Sequence, residues 1–480
     1  MGVLTGLKPE KVMRFFEEIS MIPRGSGNEK GISDYLKDFA IERGLQVVQD
    51  DVLNIIIRKS GTKGYENSPA VILQGHMDMV NEKNKDTVHD FMTDPLRLRL
   101  LDDYIYASGT TLGADNGIAV AYSLAILDSD DIPHPPIEVL VTVEEETGLL
   151  GAAKVDGSHF KGKTLINLDS EEEGVFLVSC AGGARQIISL PVVREAAVGS
   201  AFRIQVKGLK GGHSGMEIHK ERGNSNKILG RILHHLSKKY DIRIAEISGG
   251  SKMNAIPRES EALVVVRGDA EGFNDEVLAV AGVSASEIRT QDPGLTVAAE
   301  AVPLPAETFD KETTRKAEEL LLVLPDGVLN FSQDIPGLVE TSLNLGVLQT
   351  MEDSVKYEFA VRSSVETRKK LTLEKVRTLS ASYGADSEIS SSYPGWNYDK
   401  DSKIRQRFLD TYRRLYGRDA EVTAIHAGVE CGLLSEKIDG LDMISLGPDM
   451  YDVHTPEEHI SISSIARTYD LLLEVLRELK

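Results

Sequence analysis

Between residues 54 and 168 short apolar runs alternate with helical patterns, and few folds accept that rhythm. Residues 54–58, 70–73, 137–143 and 164–168 are compact apolar runs, while 117–127 has helical spacing. Two helical patterns come earlier. In residues 9–20, Pro9 suits the first turn and Val12, Phe15, Phe16 and Ile19 share a face. In residues 29–43, Ile32, Leu36 and Phe39 point inward and Gly44 ends the pattern. Strands alternating with helices predict an α/β sheet covered by helices. After Gly182-Gly183 the style changes. Phe202, Ile204 and Val206 alternate as on a half-exposed strand, Ile228, Leu229, Ile232 and Leu236 mark a helix, and alternating strands return at 263–267 and 357–362. This reads as α+β. Beyond Tyr393-Pro394-Gly395 the first style resumes and closes on an amphipathic helix at 463–480. The expected organisation is an α/β domain in two segments, 1–184 and 395–480, with an α+β domain inserted at 185–394. Ser251-Lys252-Met253-Asn254 before a strand with Arg267 is echoed by Thr341-Ser342-Leu343-Asn344 before a strand with Arg362, which hints at a duplicated unit in the insertion.

Charge narrows the partners. The net charge is −21, and no run of Lys or Arg supplies the basic footprint of a nucleic-acid binder. No apolar run approaches the roughly 20 residues of a membrane helix. Residues 1–11 lack the basic and apolar regions of a signal peptide. The expectation is a soluble, cytoplasmic protein. The two cysteines, Cys180 and Cys431, form no CxxC pair, so neither a disulfide framework nor a thiolate zinc site is expected.

The chemistry-bearing residues sit where the buried runs end. His76-Met77-Asp78 follows the run 70–73, and in an extended segment His76 and Asp78 point the same way. A carboxylate behind an imidazole fixes its tautomer, as metal-binding histidines require, although the pair alone more often does nothing. Gly109-Thr110-Thr111-Leu112-Gly113-Ala114-Asp115-Asn116-Gly117 opens a helix. It is neither a P-loop nor GxGxxG, which weakens a nucleotide-binding reading. Asp115 is then either a helix N-cap or a cation ligand presented by a tight glycine turn. Glu144-Glu145-Glu146-Thr147-Gly148 crowds carboxylates after a buried run, where they repel one another unless a cation is near. Asn167-Leu168-Asp169-Ser170 ends another buried run, and Asp452-Val453-His454-Thr455-Pro456-Glu457 follows much later. Imidazole and carboxylate ligands without cysteine suit Zn²⁺, Mn²⁺ or Co²⁺.

Taken in order, these motifs resemble the M20 family of co-catalytic zinc peptidases, in its aminoacyl-histidine dipeptidase (Xaa-His dipeptidase, carnosinase-like) branch. Thr87-Val88-His89-Asp90-Phe91, Asp169-Ser170-Glu171-Glu172-Glu173-Gly174, Cys180-Ala181-Gly182-Gly183 and His426-Ala427-Gly428-Val429-Glu430-Cys431-Gly432 belong to the same pattern. The resemblance covers nearly the whole chain. It implies a mixed-sheet zinc-peptidase catalytic domain with an inserted α+β lid, and hydrolysis of dipeptides, Xaa-His and related, by a metal-activated water. It also implies two Zn²⁺ per subunit, replaceable by Co²⁺ or Mn²⁺. Asp115 would bridge the metals, with His76 and Asp169 on one and Glu146 and His454 on the other. Asp78 would hold His76, and Glu145 would be the general base. His213, Asn254 and Arg362 match substrate-side lid positions, and Gly428 matches a backbone contact from the catalytic domain. The lid histidine would act across a homodimer, or within one chain if the lid is doubled. Rival readings are another M20-type hydrolase (a carboxypeptidase, tripeptidase or N-acyl amino acid deacylase) and a binding protein that has kept the fold.

Overall fold

The computed structural model describes residues 2–480. The chain forms two compact units, one of residues 1–179, 398–424 and 429–480, the other of residues 180–397 and 425–428.

The first unit is built on an eight-stranded mixed sheet. Its order is Gln46–Gln49, Ile55–Lys59, Ile137–Thr142, Val71–His76, Thr164–Asn167, Asp442–Ser445, Val175–Cys180 and Glu421–Ile425. The four strands from Ile137–Thr142 to Asp442–Ser445 run parallel. Val71–His76 and Ile137–Thr142 are buried at every position, as expected of parallel strands covered on both faces. The helix Ala114–Leu127 buries every residue except Asp115, so it is a central helix and lacks a polar face. Helices Glu10–Ser20 and Ile462–Glu478 turn apolar faces to the same core. A small sheet of Met450–Tyr451, His459–Ser461, Tyr104–Ala107 and Leu98–Leu101 completes the unit.

The second unit is a nine-stranded antiparallel sheet. Eight strands run in the order Thr296–Val302, Ser200–Lys207, Ser260–Arg267, Asp241–Gly249, Val339–Thr350, Ser354–Ser363, Gly182–Pro191 and Asp386–Tyr393. The ninth, Gly327–Phe331, pairs beside Val339–Thr350. Helices Ser225–Ser237, Phe273–Glu287, Lys311–Val323 and Glu366–Ser382 pack their apolar residues into one cluster with the sheet.

The four-residue echo itself falls at unmatched places, since 341–344 lies inside the long strand Val339–Thr350 whereas 251–254 is a turn between Asp241–Gly249 and Ala255–Ile256. The doubling it hinted at is nonetheless present: a strand-helix-strand-strand-helix-strand unit occurs twice, in the sheet orders Thr296–Val302, Ser200–Lys207, Ser260–Arg267, Asp241–Gly249 and Asp386–Tyr393, Gly182–Pro191, Ser354–Ser363, Val339–Thr350, with Arg267 and Arg362 on the matching third strands. One expectation needs correction. Gly428 does not go with the first unit. The segment Ile425–Gly428 packs in the second, where Ala181 N donates to the Ile425 carbonyl and Ser342 Oγ lies 2.7 Å from His426 Nε2. No short-range pattern signals that brief return of the chain. Among the described residues no helix is long and apolar enough to cross a membrane.

Candidate metal centre

Three neighbouring parallel strands end side by side, because His76 pairs with Thr142 and Gln74 pairs with Asn167. His76 is the last residue of its strand, Glu145 and Glu146 follow Ile137–Thr142, and Asp169 follows Thr164–Asn167. The carboxyl ends of parallel strands are where open α/β sheets place ligands. Asp115 comes from the start of the helix Ala114–Leu127, but its φ of −78° and ψ of 104° are not helical, and Gly113 rather than Asp115 is the N-cap. His454 lies in the loop between Met450–Tyr451 and His459–Ser461. Glu144, Asp452 and His454 all hold left-handed backbone, with φ of 49°, 50° and 63°. That conformation costs a non-glycine residue about 1–2 kcal/mol. Such strain collects where side-chain aim matters more than backbone ease.

Asp115 stands between the two histidines. Its Oδ1 lies 3.1 Å from His76 Nε2, and its Oδ2 lies 3.1 Å from His454 Nε2. Asp169 Oδ1 is 3.4 Å from His76 Nε2, and Glu146 Oε1 is 3.0 Å from His454 Nε2. Behind His76, Asp78 Oδ1 lies 3.2 Å from Nδ1. Asp78 also accepts hydrogen bonds from Ser26 Oγ and from the backbone N–H groups of Glu145 and Glu146. One carboxylate thus ties the histidine to the acidic turn.

The donor set fits divalent metal. Ligands at ~2.1 Å around a tetrahedral zinc are about 3.4 Å apart. The nitrogen–oxygen separations here are 3.0–3.4 Å, and single ligand atoms of His76, Asp115 and Glu146 all fall within 4.8 Å of one another. Electrostatics agree. Hydrogen bonds to Asp115 and Glu146 push His454 up to about 11. Burial pushes His76 down, but Asp169, Asp115 and Asp78 outweigh it and hold the imidazole well above its ordinary value. Burial pushes Asp115 up, and its bonds to His454 and His76 overcome that to hold it below the usual carboxylate range. Burial, with Asp169, Glu430 and Glu146 nearby, pushes Glu145 up to about 9. The site is an excess of acids that needs positive charge, and a divalent cation meets that need without protons.

A further acid lies below the strand ends. Glu430 is fully buried. Its Oε2 accepts from Gln74 Nε2 and from Thr142 Oγ1, and Gln74 Oε1 accepts from Asn167 Nδ2. Each of the three ligand-bearing strands therefore contributes one polar side chain to this layer. Burial pushes the Glu430 carboxyl up to about 8.

The three residues expected on the lid gather in the second unit together with Gly428. His213 pairs with Ala255 across a two-residue ladder, and Ser214 N donates to the Asn254 carbonyl. The backbone N–H groups of Gly215 and Met216 point to His213 Nδ1 at 3.3 and 3.1 Å. That leaves the ring proton on Nε2. Burial, with Arg362 beside it, holds His213 below its ordinary pKa, so the ring is a neutral donor. Arg362 is only 8% exposed. Its Nη1 donates to Tyr393 Oη at 3.2 Å, while its Nε has no hydrogen-bond partner among the described residues. A Cβ at Gly215 would come 3.1 Å from His213 Cε1 and 3.2 Å from Arg362 Nε, and one at Gly428 would come 2.6 Å from Tyr393 Cε2. Tyr393 is a member of this cluster that sequence reasoning missed, reading Tyr393-Pro394-Gly395 only as a boundary. Arg24, Glu430 and Glu458 were missed in the first unit. Glu458, four residues after His454, carried a faint positional signal, and Arg24 none.

The chain is 37% identical to the cytosol non-specific dipeptidase of Escherichia coli (strain K12) over 482 aligned residues, which cover 100% of this chain and 99% of that protein. A solved structure of aminoacylhistidine dipeptidase from Vibrio alginolyticus superposes with a TM-score of 0.95 at 37% identity, covering 99% and 98% of the two chains. Aminopeptidase PepT from Bacillus cereus ATCC 10987 shares the fold, with a TM-score of 0.56 at 16% identity and 98% and 99% coverage. The model of peptidase family M20/M25/M40 matches residues 72–478. With that match and a full-length relative of this similarity, the chain belongs to peptidase family M20/M25/M40.

Proposed function

We propose that the protein is a metallodipeptidase that hydrolyses dipeptides, Xaa-His and related, at a site for two zinc ions. The observation that carries this is Asp115, with one carboxylate oxygen 3.1 Å from each of two histidines. His76, Asp115 and Asp169 would hold one ion and Asp115, Glu146 and His454 the other, with Co²⁺ or Mn²⁺ able to substitute. When bound, such ions supply Lewis acidity that lowers the pKa of water and polarises a carbonyl. The protein's own groups do the rest. Asp78 keeps the His76 ring oriented through Nδ1. Glu145 accepts a proton from the attacking water and returns it to the leaving amine. His213 Nε2–H donates to the oxygen on which negative charge develops. Arg362 grips the substrate's free carboxylate, with Asn254 and the Gly428 backbone lining the same cluster.

The name of the Escherichia coli relative supports a cytosolic location for this chain. We extend the proposal to a homodimer, with His213 serving the partner's site or, through the doubled lid, the site of its own chain. Mixing the inactive variants Glu145→Gln and His213→Ala tests this: restored activity requires exchange across subunits, and no restoration places the histidine within one chain. The deciding experiment for the function is a panel of dipeptides, tripeptides and N-acyl amino acids on zinc-reconstituted protein. Turnover of dipeptides well above the others is expected. Preference for tripeptides or acyl amino acids would replace this reading with another M20-type hydrolase.

A further inference from the structure

A buried polar cluster that the proposed chemistry does not use surrounds the backbone of residues 112–115. Glu458 is 2% exposed. Its Oε2 accepts from the N–H groups of Leu112 and Gly113 at 2.8 and 3.0 Å, and its Oε1 from Ala114 and Asp115 at 2.8 and 3.4 Å. Four consecutive amides converge on one carboxylate. Arg24, 1% exposed, takes the carbonyl side. Its Nη2 donates to the Gly113 carbonyl, and its Nη1 donates to those of Met77 and Asp78 at 3.0 and 3.3 Å. Gly113 is therefore held by a buried anion at its N–H and a buried cation at its carbonyl.

We propose that Arg24 and Glu458 are positioning residues for the metal centre, a buried pair of opposite charges that fixes Asp115 at a set distance from His76. Arg24 joins the backbone just after His76 to the backbone just before Asp115. Glu458 joins that same backbone to the loop carrying His454. All three candidate ligands are thereby referred to one rigid frame. The glycines of the motif follow from it: a Cβ at Gly113 or at Gly117 would lie 2.6 Å from Arg24 Nη2. The spacing of those two glycines is the space that a guanidinium occupies. Charge supports the pairing as well. Burial lowers Arg24 to about 10, opposed by Glu458, Asp78, Asp115 and Glu146, so at neutral pH it is a permanent cation beneath an acidic site. A guanidinium suits this task because its planar fork points one N–H group at the Gly113 carbonyl and another at those of Met77 and Asp78 in fixed directions, whereas an ammonium donates from a single point. Groups that orient ligands from behind typically account for about 10–100-fold in metal affinity.

The inference rests on the metallopeptidase reading, and one experiment separates the two. Zinc affinity is measured by chelator competition, and the visible spectrum of the cobalt form is recorded, for the wild type, Arg24→Met, Arg24→Lys, Glu458→Gln and the Arg24→Met/Glu458→Gln double variant. Wild type that binds no zinc would sink the metallopeptidase reading. Given binding, each single variant should weaken zinc affinity by about 10-fold or more and alter the cobalt spectrum, with Arg24→Lys failing to restore either. The double variant should lose less than the product of the single losses, because both groups hold the same loop. Folded variants with lowered melting temperature but unchanged zinc affinity and cobalt spectrum would show a merely structural role and overturn the inference. If Arg24→Met does not fold, Glu458→Gln decides by the same two readouts.

Discussion

At the scale of single residues, the proposed roles separate by what each substitution should remove. Glu145 is placed as a proton carrier and His76 as a ligand. Glu145→Gln should lower turnover by roughly 10²-fold or more with zinc content unchanged, whereas His76→Ala should lower zinc content itself. Metal analysis alongside steady-state kinetics checks both, and near-normal turnover in Glu145→Gln would assign the base elsewhere. Arg362 allows a sharper test. The guanidinium is buried beside His213 and Tyr393 with one N–H unpartnered among the described residues. If it grips a free carboxylate, Arg362→Ala should cost about 2–5 kcal/mol in kcat/KM on a free dipeptide. The loss should be much smaller on the C-terminally amidated analogue, and equal losses on both would exclude the clamp. Residues at strand ends were legible in the sequence because a buried parallel strand is written as a continuous apolar run, and polar residues that halt such a run stand out. Arg24 was not legible, and Glu458 only faintly through its place near His454, because their partners are backbone groups 53 to 346 residues away, and backbone groups leave no mark in a sequence.

At the scale of elements, the start of the helix Ala114–Leu127 is the part least free to vary. Its apolar spacing was readable, since a helix buried nearly all round shows as an unbroken apolar segment. Its first turn was not, because the departure of Asp115 from helical backbone is imposed by contacts from Arg24 and Glu458. Gly117 tests that account. Gly→Ala within a helix ordinarily stabilises it by about 1 kcal/mol. Here the new methyl would meet Arg24 Nη2 at 2.6 Å, and the guanidinium cannot retreat without releasing carbonyls. Gly117→Ala should therefore destabilise the protein by about 1–3 kcal/mol, as overpacking does, and should also weaken zinc binding. Denaturant melts of the metal-free and zinc forms measure both effects, and a stabilised variant would mean that the loop yields easily. The strand order of both sheets was also beyond the sequence, since neighbours such as Thr164–Asn167 and Asp442–Ser445 are set by tertiary packing across most of the chain.

At the scale of the whole molecule, the acidic centre should govern how stability responds to pH. Burial raises Glu430 from the ordinary 4.5 to about 8, and burial with Asp115 and Asp169 nearby raises Glu171 from 4.5 to about 7. Without metal, the folded protein holds protons that the unfolded chain has already released. Stability of the metal-free form should then fall as pH rises from 4.5 towards 8. His454, raised from 6.5 to about 11, adds loss in the same direction above pH 6.5. Zinc replaces protons in this role, so its stabilisation should grow with pH. The melting-temperature gap between zinc-loaded and metal-free protein is expected to be larger at pH 8 than at pH 5.5. A gap that is constant or reversed would show that these acids do not set the balance.

The same architecture fixes the order in which the centre is assembled. His76, Asp115, Glu146 and Asp169 precede the second unit in the chain, and His454 and Glu458 follow its last segment. Chains emerge from the ribosome N-terminus first and fold as they come. A half-made chain thus carries four ligand candidates but neither the second histidine nor the carboxylate that seats the Asp115 loop. Hydrolysis cannot begin until the whole inserted unit has been translated. A product cut short before His454 would lack both of these groups, so the centre is complete only once residues 454–458 have been made.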